Sequence, residues 1–142
     1  MKHPFALCAL IALSALPLSG HSASPSSPAE TVVSHHMSAI GSGKVDEVMN
    51  DYADNAIMIS PNGVVKGKQA IRGVFDMMIK PGPSAMAPIE MKTQVFEGEF
   101  GYITWVQNAG KPGEQKGSDT FVLRNGKIVL QTVAIVPTAP AK

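Results

Sequence analysis

The stretch Gly117-Ser-Asp-Thr-Phe-Val-Leu-Arg-Asn-Gly-Lys-Ile-Val-Leu-Gln-Thr-Val-Ala-Ile-Val136 decides the fold. Asn125-Gly126 stands between two β-branched, apolar runs, which is the signature of a two-residue type I′ hairpin. An unbroken ladder from that turn pairs Arg124 with Lys127, Leu123 with Ile128, Phe121 with Leu130 and Asp119 with Thr132. Side chains alternate along a strand, so Asp119, Phe121 and Leu123 share a face with Ile128, Leu130, Thr132 and Ala134. That face is apolar except for one carboxylate and the hydroxyl expected opposite it.

Upstream of the hairpin, Ile89–Glu97 and Phe100–Gln107 alternate as two more strands around Gly98-Glu99, and a Gly/Pro loop from Asn108 to Gln115 follows. Earlier still the period becomes helical. From Ala29 to Ile40, residues Val32, Val33, Met37, Ala39 and Ile40 form one stripe, with His36 in its middle and His35 at its edge. Gly41-Ser-Gly43 ends that helix. A short amphipathic helix follows, with Val45, Val48, Met49 and Tyr52 facing inward. Asp54-Asn55 reads as a turn, Ala56–Ser60 as a strand, Val64-Val65 as its return and Gly67–Lys80 as a third helix with Phe75 on its inner side. Asp51, Asp54 and Asn55 read as helix-end and turn residues. The order α-α-β-β-α-β-β-β-β predicts an α+β domain in which a curved, mainly antiparallel sheet wraps three N-terminal helices.

The chain of 142 residues holds one domain over residues 29–136, flanked by segments of other kinds. Met1-Lys2-His3 is basic and Phe5–Leu18 is apolar, too short to cross a bilayer, which takes about 20 residues. Residues 1–23 therefore read as a signal peptide, cut between Gly20 and Ser24. Residues 24–28 read as a disordered linker and 137–142 as a flexible tail. Export to the periplasm or medium is the expectation. The single cysteine, Cys8, lies in the signal, so the mature chain has no disulfide. With Lys2 removed, 11 basic residues face 11 acidic ones. That balance gives nucleic acid no basic patch and a membrane no basic amphipathic helix. The expected partners are a small hydrophobic molecule and a second copy of the chain.

Four motifs carry a resemblance: Ile40-Gly-Ser-Gly-Lys-Val-Asp-Glu-Val-Met49, Tyr52-Ala-Asp-Asn-Ala-Ile57 with Ser60-Pro-Asn-Gly63, Gly67-Lys-Gln-Ala-Ile-Arg72, and Asp119–Val129. Together they resemble the nuclear transport factor 2-like superfamily, in its SnoaL-like and ketosteroid-isomerase-like branches. The resemblance implies a cystatin-like cone and leaves the activity open, since isomerases, dehydratases, cyclases and non-catalytic binders share that fold. In ketosteroid isomerases a base precedes the proline of the first strand's turn, a position held here by Ser60. The oxyanion hole pairs a first-helix tyrosine, matched by His36, with a protonated aspartate, matched by Asp119. The base is therefore lost, one donor is replaced and one is kept.

Asp119 and His36 are the candidate catalytic groups. Asp119 is either a carboxyl with a raised pKa aimed at a developing oxyanion or a structural clamp bonded to Thr132. His36 is either a base or polarising group or a core histidine. Ser60, Trp105, Phe121, Met37 and Phe75 are the candidate substrate-lining residues. Trp105 and Tyr102, three apart on one strand, face opposite sides. The pair His35-His36 with Met37 does not make a metal site, because adjacent helical residues diverge by about 100°. Gly63-Val-Val-Lys-Gly-Lys-Gln69 lacks phosphate-loop spacing, and no cofactor is expected. Two readings stand. One is a domain binding a hydrophobic carbonyl compound, as an isomerase, dehydratase or cyclase. The other is a non-catalytic ligand-binding or protein-interaction module that dimerises through its sheet, whose expected outer residues are Thr120, Val122 and Val133.

Overall fold

A computed structural model describes residues 26–79 and 88–136 of the chain. The signal peptide and the flexible tail lie outside the described residues. Of three helices, α1 (Pro28–Gly41) and α3 (Lys68–Met78) pack on one face of a six-stranded sheet, and α2 (Val45–Asn50) packs on both of them. Its strands are β1 (Tyr52–Ser60), β2 (Gly63–Lys66), β3 (Ile89–Glu97), β4 (Phe100–Gln107), β5 (Gln115–Arg124) and β6 (Lys127–Val136). The sheet order is β2-β1-β6-β5-β4-β3, antiparallel except for the β1–β6 pair, and the sheet is open. The α+β architecture and element order follow the sequence reading.

Local chemistry explains the boundaries. The Ser27 hydroxyl accepts the Glu30 N–H at 3.1 Å and Pro28 fills the first helical position, so α1 begins inside the expected linker. The Ala29 N–H donates to the Gly98 carbonyl at 3.1 Å and pins the start of α1 to the β3–β4 turn. Asn125 and Gly126 both have positive φ, 52° and 70°, as a type I′ turn requires. Tyr52 opens β1 instead of closing α2. Asp54-Asn55 belongs to the same strand, where the pairing with β6 is irregular between Tyr52 and Ile57.

The register of the last hairpin differs from the unbroken ladder. Arg124–Lys127 and Leu123–Ile128 pair as expected, but Val122 pairs with Leu130, leaving Val129 as a β-bulge. Beyond it Phe121 faces Gln131 and Asp119 faces Val133. Leu130, Thr132 and Ala134 therefore turn to the convex face, and Gln131 and Val133 to the concave one. Ile128-Val129-Leu130 is uniformly apolar, so alternation alone gave no sign of the extra residue. The core lies on the concave side, where Val33, Ile40, Tyr52, Ile71, Phe75, Ile103, Phe121, Leu123 and Ile128 are buried.

Candidate functional site

Asp119 lies on the concave face of β5 and is 5% exposed. Its two oxygens have separate partners. Trp105 Nε1 donates to Oδ2 at 2.6 Å and Gln131 Nε2 donates to Oδ1 at 2.7 Å. The Tyr52 hydroxyl in turn donates to Gln131 Oε1, completing a buried file Tyr52–Gln131–Asp119–Trp105. Every partner of the carboxyl is neutral. Burial raises its pKa, outweighing the opposing effects of the Gln131 and Trp105 hydrogen bonds and the His36 ring. The Tyr52 phenol is pushed well above its usual range by burial and by the Asp119 and Asp51 carboxylates, and so serves as a donor.

The close approach of Trp105 depends on Gly117, its cross-strand partner on β5. A Cβ at Gly117 would lie 2.3 Å from Trp105 Cζ2 and 2.6 Å from the Ala134 carbonyl. The bare backbone lets the indole lie across β5 and reach Asp119 two residues along. Thr132, expected opposite Asp119, lies on the other face. Gln131, Tyr52 and Gly117 were not singled out from sequence. The available signal was Gln131 itself, a long amide within an apolar run two strand steps from a buried acid.

His36 projects from α1 into the core and is fully buried. The rings of Tyr52, Phe75 and Phe121 meet it edge-on, with centroids 5.3, 5.7 and 5.7 Å away. Among the described residues neither ring nitrogen has a hydrogen-bond partner, and Asp51 Oδ2 lies 3.5 Å from Nδ1. His36 and Asp119 make no hydrogen bond to each other. Asp51 also holds the half-exposed His35, whose Nδ1 lies 2.9 and 3.0 Å from its two oxygens. That contact raises the His35 pKa, with a smaller contribution from Glu47.

Phe75 and Phe121 thus meet His36, and Trp105 meets Asp119. Ser60 sits apart at the β1–β2 turn, where its hydroxyl accepts the Asn62 N–H at 3.2 Å. Met37 lines a concavity of about 300 Å³ between α1 and β3. A second concavity, of about 600 Å³, lies between α2 and the end of α3 beside Asp46, Glu47 and Asp76. Neither concavity is lined by Asp119 or His36. Among the described residues, no group of three or more His, Cys, Asp or Glu could hold a metal ion.

The SnoaL-like domain model matches residues 33–131, and the chain belongs to that family. Solved structures share its fold. An NTF2-like protein of unknown function from Burkholderia xenovorans is 19% identical, with a TM-score of 0.66 over 81% of this chain and 88% of the other. A Kribbella flavida protein provisionally described as a ketosteroid isomerase is 9% identical, with a TM-score of 0.67 over 81% and 82%. A Methylobium petroleophilum protein with a cystatin-like fold is 11% identical, with a TM-score of 0.63 over 81% and 80%. No curated protein is significantly similar in sequence.

Proposed function

We propose that the domain is exported and binds a small hydrophobic molecule on the concave side of its sheet, with His36 and Asp119 as the polar groups. It acts by binding, not by removing a carbon-bound proton. The observation that carries this reading is His36, a fully buried imidazole amid aromatic rings whose two nitrogens have no hydrogen-bond partner among the described residues. Leaving a buried polar group unpaired costs about 1–3 kcal/mol, and a ligand carbonyl or hydroxyl would offset that. Asp119 adds a carboxyl balanced by neutral donors alone, in a setting that suits an oxygen-bearing ligand. Ser60 argues against isomerase chemistry, since a serine hydroxyl engaged in its own turn is no base for a carbon acid.

The test is a thermal-shift and calorimetric panel of phenols of graded acidity, with wild type, Asp119→Asn and His36→Leu. We expect the phenols to stabilise the wild type. His36→Leu should melt higher than wild type without ligand, by about 1 kcal/mol of stability, and lose the phenol response. Asp119→Asn should weaken the response. A His36→Leu variant that binds phenols like the wild type would overturn the reading.

The same reading pairs two copies through the convex face. Phe100, Tyr102, Val95, Ile59 and Val64 are exposed there. Across all six strands the row Glu97–Phe100–Val122–Leu130–Ile57–Lys66 runs from an acid to a base. A two-fold axis through the middle of that row brings the acidic end of one protomer over the basic end of its partner, a self-complementary arrangement.

A further inference from the structure

The groove between α1 and β3 is a built concavity on the side of α1 opposite His36. Near its start the helix lies tight on the sheet: a Cβ at Gly101 would come within 3.2 Å of Val33 Cγ2 and 3.3 Å of Phe96 Cδ1. Farther along, helix and strand stand apart and enclose about 300 Å³. From α1 come Ser34, Met37, Ser38 and Gly41, one stripe at helical spacing; from β3 come Met91 and Gln94.

The wall on β3 depends on a bulge. Met91 pairs with Trp105 and Thr93 with Thr104, so Lys92 is an extra residue. Strict alternation from Met91 would turn Thr93 and Val95 toward the helix. The bulge instead brings Gln94 to the same side as Met91, so a thioether and an amide share one wall.

The lining defines the occupant. No lining side chain carries a charge, so an ionic ligand would lose hydration without gaining a counter-charge. Met37 and Met91 present thioethers from the two walls, a pairing that favours an aromatic ring between them. The side chains of Ser34, Ser38 and Gln94 make no hydrogen bond within the protein among the described residues, and are free to bind a polar substituent. The volume is at the lower end of ligand sites, roughly 300–1,000 Å³. We propose that this groove binds a neutral aromatic compound of one or two rings bearing a hydroxyl or N–H. The ring lies between Met37 and Met91, and the polar group lies on Ser34, Ser38 and Gln94. Neither His36 nor Asp119 takes part, so this site is independent of the one proposed above.

The test uses the full chain labelled with ¹³C at the methionine methyls and titrated with indole. Saturable shifts of the Met37 and Met91 methyls are expected. A Cβ at Gly41 meets nothing within 4 Å, so Gly41→Leu fits the fold while filling the groove. It should weaken indole binding at least tenfold. Indole-3-acetate, which adds a carboxylate to the same ring, should bind at least tenfold more weakly than indole. Should Gly41→Leu fail to fold, Met37→Ala and Met91→Ala provide the same check, each lowering affinity at least threefold. The proposal is overturned if the two methyls do not shift saturably, if groove-filling leaves indole affinity intact, or if the acid binds as well as indole.

Discussion

At the scale of single residues, His35 is the group whose charge couples α1 to the α2–β1 junction. Its folded pKa is raised above the ordinary value of 6.5 by the Asp51 carboxylate. The stabilisation is therefore complete below about pH 6.5 and is lost as pH rises through the folded pKa. Because His35 is half exposed, the contribution is small, about 0.5 kcal/mol after solvent screening. Urea unfolding from pH 5.5 to 8.5 should show that decline in the wild type and not in His35→Gln. An identical slope in the variant would assign the effect to another group. Asp119 shifts in the same sense, since its raised pKa also costs stability as pH rises, but its window starts near the carboxylate range. Because Asp119 is intact in His35→Gln, the difference between the two slopes isolates His35.

At the scale of strands, what is decisive is where one side chain passes over another strand's backbone. Gly117→Ala should drive Trp105 off β5, because the added methyl overlaps both the indole and the Ala134 carbonyl. Overpacking of this kind costs about 1–3 kcal/mol, and Asp119 also loses a donor. Trp105 is the only tryptophan, so intrinsic fluorescence reports this event alone. A red-shifted emission with a lower melting temperature is expected, and an unchanged spectrum would mean that the indole does not need the bare glycine. The hairpin turn, the helix stripe around His36 and the order of elements along the chain were legible because Asn125-Gly126 and the 3.6-residue period are local signals. The partners of Asp119 were not. They depend on Val129, whose extra place in β6 leaves no mark in an apolar run, and on Tyr52, which periodicity assigned to a helix end. Sequence also placed Val133 on the outer face, and the same bulge turns it inward.

At the scale of the whole molecule, two opposite surfaces offer different chemistry. The concave side holds buried polar groups, whereas the convex side exposes aromatic and aliphatic residues, with Phe100 59% and Tyr102 40% accessible. A contiguous apolar patch of this kind commonly marks an interface. In the proposed homodimer, Phe100→Glu places a charge within the apolar contact, beside Glu97. Sedimentation at micromolar concentration should show a dimer for the wild type and a monomer for the variant, with the melting of the monomer's own fold preserved. A wild type that sediments as a monomer would leave the convex face without its second copy.

Val129 gives β6 one residue more than β5 can pair. Losing it would straighten the strand while Gln131 stayed opposite Phe121, so curvature and pairing are encoded by different residues. Changes in chain length at that point would then adjust how closely the sheet wraps the helices without moving the amide away from Asp119.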